Sequence, residues 1–160
     1  MIVRKLHVET NQPNIDSMIK VAFATNDRRH VNQHFGQAKS FIVYSLNETQ
    51  YQLIDAIDFS EKSRGHSQLA ERTSVLVDCD AVYFNQCGTT ALKQLLVLKT
   101  VPVKVEEGES IQSCLMDLMR DMKEKREGWL NKRISMRNSD QENQQEYLDS
   151  LLDEPWNSME

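Results

Sequence analysis

Two short stretches of this chain place residues that could hold a ligand at the ends of apolar runs. In VNQHFGQAKSF, Val31 to Phe41, His34 stands between polar residues and a Phe-Gly pair. Neutral imidazole is a common metal ligand. Gly36 would let the backbone pass close to a bulky ligand, and Phe35 could anchor the loop and so set the direction of the histidine. A solvated histidine that merely finishes a turn fits the same residues. In FNQCGTT, Phe84 to Thr90, Cys87 falls between a strand pattern and a helix start. A helix N-terminus favours an anion and lowers a thiol's pKa. A small residue packed into a tight strand-to-helix turn explains Cys87 equally well. Arg28, Arg29 and Lys39 flank His34 and could draw an anion towards it, or simply face solvent. His30 and His66 are weaker candidate ligands. Cys79, at the start of a strand, and Cys114, on an apolar helix face, read as core.

Elsewhere the chain offers little that points to catalysis. Gly88 has no partner glycines for a nucleotide fingerprint, and neither G-x-S-x-G nor H-E-x-x-H occurs. A small hydrolase would need converging carboxylates, and Asp27, Asp58 and Asp80 are scattered in sequence. The reading is therefore of a protein that is not an enzyme. No basic stripe with interleaved aromatics suggests nucleic acid as a partner. No apolar run is long enough to span a bilayer, and MIVRKLHVETNQPNID lacks the apolar stretch of a secretion signal. Three well-separated cysteines make no disulfide framework, so a reducing cytoplasm is expected.

The formal charge of -5 is unevenly spread. Residues 139–160 carry seven acids and no Lys or Arg, and 24 acids less these seven leaves 17 against 19 bases, a body of formally +2. The organisation expected is a flexible lead-in over 1–17, a ligand-binding domain over 18–130 and an acidic tail over 131–160. Within EYLDSLLDEPW of that tail, Leu148, Leu151 and Leu152 share a helical face. It is either a solubilising tail or a segment that docks on a partner.

The elements that must position the two loops follow from apolar pattern. MIKVAFAT, KSFIVYSL and YQLIDAIDF read as strands, the last two joined at NETQ as a hairpin. GHSQLAERTSVLVD has helical spacing, with Ser67 placed to help cap it. CDAVYFN has the unbroken apolarity of a strand covered on both faces. QCGTTALKQLLVLKT is a helix with Thr89 and Thr90 as capping hydroxyls, VPVKV an edge strand because of Pro102, and SIQSCLMDLMRDMKEKREGWL an amphipathic helix capped by Ser110. A hairpin followed by two strand–helix crossovers predicts a mixed α/β sheet, parallel in its later part, with helices on its faces. Ligands of such sheets lie beyond the carboxyl ends of the parallel strands. The His34 loop and the Cys87 turn both meet that description, and adjacent parallel strands would bring them together. The His34 loop, long and polar, is expected to be mobile.

With these residues in view, KVAFATNDRRHVNQHFGQAKSFIVYSL resembles the dinitrogenase iron–molybdenum cofactor-binding family. So does DCDAVYFNQCGTTALKQLLVLKTVPVKVEEGESI, with its Cys-Gly turn and its Pro-bearing strand. The resemblance covers about residues 18 to 130. It implies a ribonuclease-H-like fold with a mixed five-stranded sheet and flanking helices. It also implies transient binding, without catalysis, of an iron–sulfur precursor of the nitrogenase cofactor, such as the NifB product. Implied partners are NifB and NifEN-like biosynthetic proteins, with apo-dinitrogenase as a further one. The histidine of the HFG motif matches His34 and the cysteine of the CG turn matches Cys87. Phe35, Gly36, Arg28, Arg29 and Lys39 complete the expected binding set. The rival expectation is an interaction protein that holds apo-dinitrogenase or a scaffold without carrying the cluster.

Overall fold

The structure is a computed structural model, and it describes residues 2–8, 18–60 and 66–136. Two compact units divide the chain, residues 1–124 and 125–160. In the second, residues 129–136 are helical. The acidic tail expected over 131–160 lies outside the described residues beyond 136.

In the first unit, strands β1 (Ile2–His7), β2 (Ile19–Thr25), β4 (Ser40–Leu46), β5 (Tyr51–Phe59), β6 (Ala81–Phe84) and β7 (Val101–Lys104) form one sheet in the order β1-β5-β4-β2-β6-β7. β2, β6 and β7 run parallel, while β4 pairs antiparallel with both β2 and β5. Asn47 closes the hairpin turn, its N–H donating to the carbonyl of Gln50 at 2.9 Å. β7 is an edge strand, as its proline requires. The mixed sheet expected from the sequence is thus present, with six strands where five were expected. The sixth is β1, in a segment read as a flexible lead-in. It pairs with β5 from Ile2 to His7. Its side chains at Ile2, Arg4, Lys5, Leu6 and His7 are exposed, so burial of these residues imposed no period on its sequence.

Alternation sorts the central strands onto two faces. Ala22, Ala24, Phe41, Val43, Ile57, Val82 and Phe84 belong to one buried cluster, which also takes in Leu76, Ala91 and Leu95. Helices α1 (His66–Ser74) and α2 (Thr89–Val97) cover this face. On the other side Phe23 packs against Tyr44 and Tyr83. Helix α3 (Ile111–Glu124) buries Ile111, Cys114, Leu115 and Leu118 there. Ser110 caps α3 as expected, its hydroxyl accepting the Ser113 N–H at 3.3 Å. Thr89 and Thr90 do not cap α2. Its N-cap is Gly88, with no side-chain bond to the helix. The cap position falls one residue earlier than the hydroxyls, so those threonines are already in the first turn. Two short strands, β3 (His30–Val31) and β8 (Glu109–Ser110), pair with each other in a separate two-stranded ribbon.

Candidate functional site

The loop after β2 begins with a knot around one carboxylate. Asp27 Oδ1 accepts the N–H groups of Arg29 at 2.8 Å and His30 at 2.9 Å, and the Thr25 hydroxyl at 3.1 Å. Its Oδ2 meets His30 Nδ1 at 2.7 Å. The Arg29 N–H, then the His30 ring, hold this carboxyl well below the ordinary carboxylate range. The knot keeps Arg28 at φ 66°, a left-handed conformation that costs a side-chain-bearing residue about 1–2 kcal/mol.

Further along, the same loop is built into the core. Val31, Phe35 and Ala38 are completely buried. Phe35 stacks on Phe41 at 5.6 Å and meets Phe84 edge-on at 6.1 Å. A single 3-10 turn spans Phe35–Gln37, with His34 as its N-cap. His34 Nδ1 accepts the Gly36 N–H at 3.2 Å. The proton of a neutral ring then sits on Nε2, which has no hydrogen-bond partner among the described residues. The loop expected to be mobile is therefore stitched. Its apolar residues Val31, Phe35 and Ala38 are wholly inside and outweigh its polar composition.

The two loops do meet. His34 forms a parallel bridge with Gln86, the residue before Cys87. Phe35 N–H donates to the Gln86 carbonyl at 2.8 Å, and Asn85 N–H donates to Gln33 at 3.1 Å. Asn85 adds a side-chain latch, its Nδ2 donating to the carbonyls of Val31 at 2.9 Å and Val105 at 3.3 Å. Asn85 was not singled out from the sequence. Its position just past a fully buried strand was the available signal, since a carboxamide there can satisfy several loop carbonyls at once.

Cys87 is less enclosed than His34's neighbours. Its thiol donates weakly to the Gly88 carbonyl at 3.5 Å. Burial pushes this thiol up, opposite to the lowering expected from the start of α2. Cys87 precedes the Gly88 cap, so it is outside the first turn, and partial desolvation wins. It lines a cleft of about 420 Å³ with Phe84, Gln86, Leu92, Pro102 and Lys104. Lys104 also borders the adjoining cleft at Gln86 and Glu106. It is a cation that the sequence reading missed, because no pattern links the end of an edge strand to a turn 17 residues away.

The other expected site residues disperse. Arg28, Arg29 and His30 line a different cleft of about 300 Å³, with Tyr44, Tyr51 and the first residues of α3. Arg28 also reaches Asp58 at 3.4 Å. Lys39 is exposed, and its N–H donates to Gln33 Oε1 at 3.1 Å. Phe35, counted in the binding set, is too deeply buried to touch a ligand and acts as the anchor of the turn. His66 opens α1, and its side chain lies outside the described residues. Cys79 and Cys114 are core as expected, and burial pushes each up to about 12. Asp80 is buried and accepts the Lys20 N–H at 2.9 Å, at the start of β2. Asp27 follows the far end of that strand, about 20 Å away by strand rise, so the scattered aspartates do not converge. Among the described residues, no three His, Cys, Asp or Glu side chains gather as a metal set, and no helix is long and apolar enough to cross a membrane.

Residues 17–121 match the family described as "Dinitrogenase iron-molybdenum cofactor". Protein NifX of Azotobacter vinelandii is 37% identical over 120 residues, which cover 74% of this chain and 76% of that protein. Protein NifX of Sinorhizobium fredii is 27% identical over 140 residues, covering 81% and 88%. The apo form of the orange protein from Desulfovibrio gigas superposes with a TM-score of 0.52 at 15% identity, over 66% of this chain and 90% of that one. The last likeness is one of fold.

Proposed function

The chain belongs to the dinitrogenase iron–molybdenum cofactor family, and from that premise we propose that it serves nitrogenase cofactor biosynthesis as a carrier. Its cargo is an iron–sulfur precursor of the iron–molybdenum cofactor, the NifB product or a later form. It takes this cargo from one biosynthetic protein and gives it up to another of the NifB and NifEN type. The strand order β5-β4-β2-β6-β7 supports extending the family reading to a ribonuclease-H-like fold with one added edge strand.

The observation that carries this proposal is the bridge between His34 and Gln86. It sets an imidazole and a thiol on neighbouring backbone segments at the carboxyl edge of parallel strands. His34 is the leading ligand through Nε2, whose proton is displaced on coordination. Cys87 is the second. Lys104, in the Cys87 cleft, supplies positive charge for an anionic cluster, the part first sought in Arg28 and Arg29. Those two and Lys39 serve at most in long-range attraction. Two ligands grip a cluster far less firmly than a full cysteine set, which suits a cargo that must be released.

The test is anaerobic gel filtration of the protein mixed with isolated precursor, with iron assayed in the protein peak. Iron should accompany the wild type and be lost from His34→Ala. Iron with neither would overturn carriage in favour of partner-holding, and deletion of 139–160 would then be tested against partner pull-down. Equal iron with both would overturn the ligand assignment.

A further inference from the structure

Helix α1 sends an arginine into the core with no acid among the described residues to meet it. The Arg72 side chain belongs to a residue only 3% exposed. Its Nε and Nη2 both donate to the Ala38 carbonyl, at 3.0 and 2.6 Å, and Nη1 donates to the Gln68 carbonyl at 3.0 Å. The guanidinium lies 4.5 Å over the Phe59 ring. Burial lowers its pKa, but an arginine keeps its proton in proteins.

A buried ion is a poor way to gain stability. Removing it from water is costly, and an apolar side chain of similar volume often serves as well or better. What the ion offers here is direction. Two of its three bonds converge on one oxygen, that of Ala38. Ala38 is the C-cap of the turn whose N-cap is His34, and its own N–H is spent on the Phe35 carbonyl at 3.3 Å. At the other end, the Phe35 N–H is held by Gln86. The turn is fastened from the segment after β6 on one side and from α1 on the other.

We propose that Arg72 is a positioning residue for the cargo turn: its fork on the Ala38 carbonyl locks the Phe35–Gln37 turn and so fixes the His34 ring. The role in cargo binding rests on the carrier reading above, while the locking itself does not. A neutral residue of like size would fill the space and leave the Ala38 carbonyl without these bonds, while the chain beyond it stays held where the Lys39 carbonyl accepts the Phe59 N–H at 2.9 Å.

The test uses the full chain without cargo, then with it. In Arg72→Met, amide exchange at Gly36 to Lys39 should quicken about tenfold, the worth of one hydrogen bond to a charged group, while amides of β2 and β6 keep their protection. In ¹⁵N spectra of His34, the wild type should show the proton on Nε2, and the variant should average the two tautomers. Arg72→Lys, which keeps charge but not the fork, should fall between. Unchanged exchange and an unchanged His34 spectrum in Arg72→Met would overturn the proposal. Should that variant not fold, wild-type behaviour of Arg72→Lys in both readouts would overturn it. Iron retained by Arg72→Met at the wild-type level, with the turn demonstrably loosened, would overturn its bearing on cargo. Failure of the wild type itself to take up iron would strike the carrier reading and leave the locking to be judged on exchange alone.

Discussion

The turns that carry His34 and Cys87 leave neighbouring parallel strands, yet they are built on opposite plans. The first is bonded into the core: Phe35 is 0% exposed, and both ends of its turn are held by other elements. The second is held at its start by the Asn85 latch and the Gln86 carbonyl, and more lightly beyond them. Cys87 has one weak bond to the next residue, and Gly88 caps α2 without a side chain. One half of the site is preset and the other can give. On the carrier proposal, a cargo that must enter and leave would be served by that pairing, since rigidity lowers the ordering cost of binding at one ligand and a more loosely held second ligand allows exchange.

The contrast can be broken most directly at its anchor. Phe35→Ala should cost about 3–5 kcal/mol in urea unfolding, whereas Cys87→Ala should shift stability by under about 1 kcal/mol. Similar losses for the two would mean that the turns are equally embedded. In binding, His34→Ala should remove most iron from the protein peak, whereas Cys87→Ser should retain a measurable part, with faster loss on dilution. The reverse order would make the thiol the primary ligand. Lys104→Glu should weaken cargo affinity by about tenfold, and raised salt should narrow that gap. The same reversal at Arg28 should do less, because Arg28 borders another cleft. Gly36→Ala is the finer probe. The added Cβ would stand 3.7 Å from Cε1 and Nδ1 of His34, an ordinary contact. Stability should hold within about 1 kcal/mol, and iron binding should change little, because the contact falls on the Nδ1–Cε1 side and leaves Nε2 open.

The smallest effect should come from Asp27, and its sign is fixed. The folded-state pKa is depressed, so the folded form binds fewer protons than the unfolded one. Its contribution is complete above the unfolded pKa of about 4 and is lost as pH falls towards the folded value. Asp27→Asn should therefore lower stability at neutral pH and flatten the acid limb, the two curves converging as pH falls below about 4. An unchanged acid limb would show that the knot adds nothing.

The same contrast explains what the sequence could disclose. β2, β4, β5 and β6 were legible because each has at least one face buried, and burial writes itself into apolar pattern. The meeting of the two loops followed from parallel neighbours. β1 was hidden because its register comes from backbone pairing with β5, which leaves no mark on side chains. Arg72, Asn85 and Lys104 were hidden for a related reason: each matters through one distant partner or cleft, and spacing in the chain carries no trace of it. Arg28 and Arg29 misled because nearness in sequence to His34 was taken for nearness in space, and the Asp27 knot directs them to another cleft.

The hairpin turn Asn47–Gln50 sits at the end of the sheet opposite the site, since Ile19 at the start of β2 pairs with Leu46. A cut there would put His34 on one fragment and Cys87, Asn85, Arg72 and Lys104 on the other. Neither piece owns the site. Cargo uptake would then become a complementation signal, restored only when the halves re-form the sheet, so that the protein could report its own assembly.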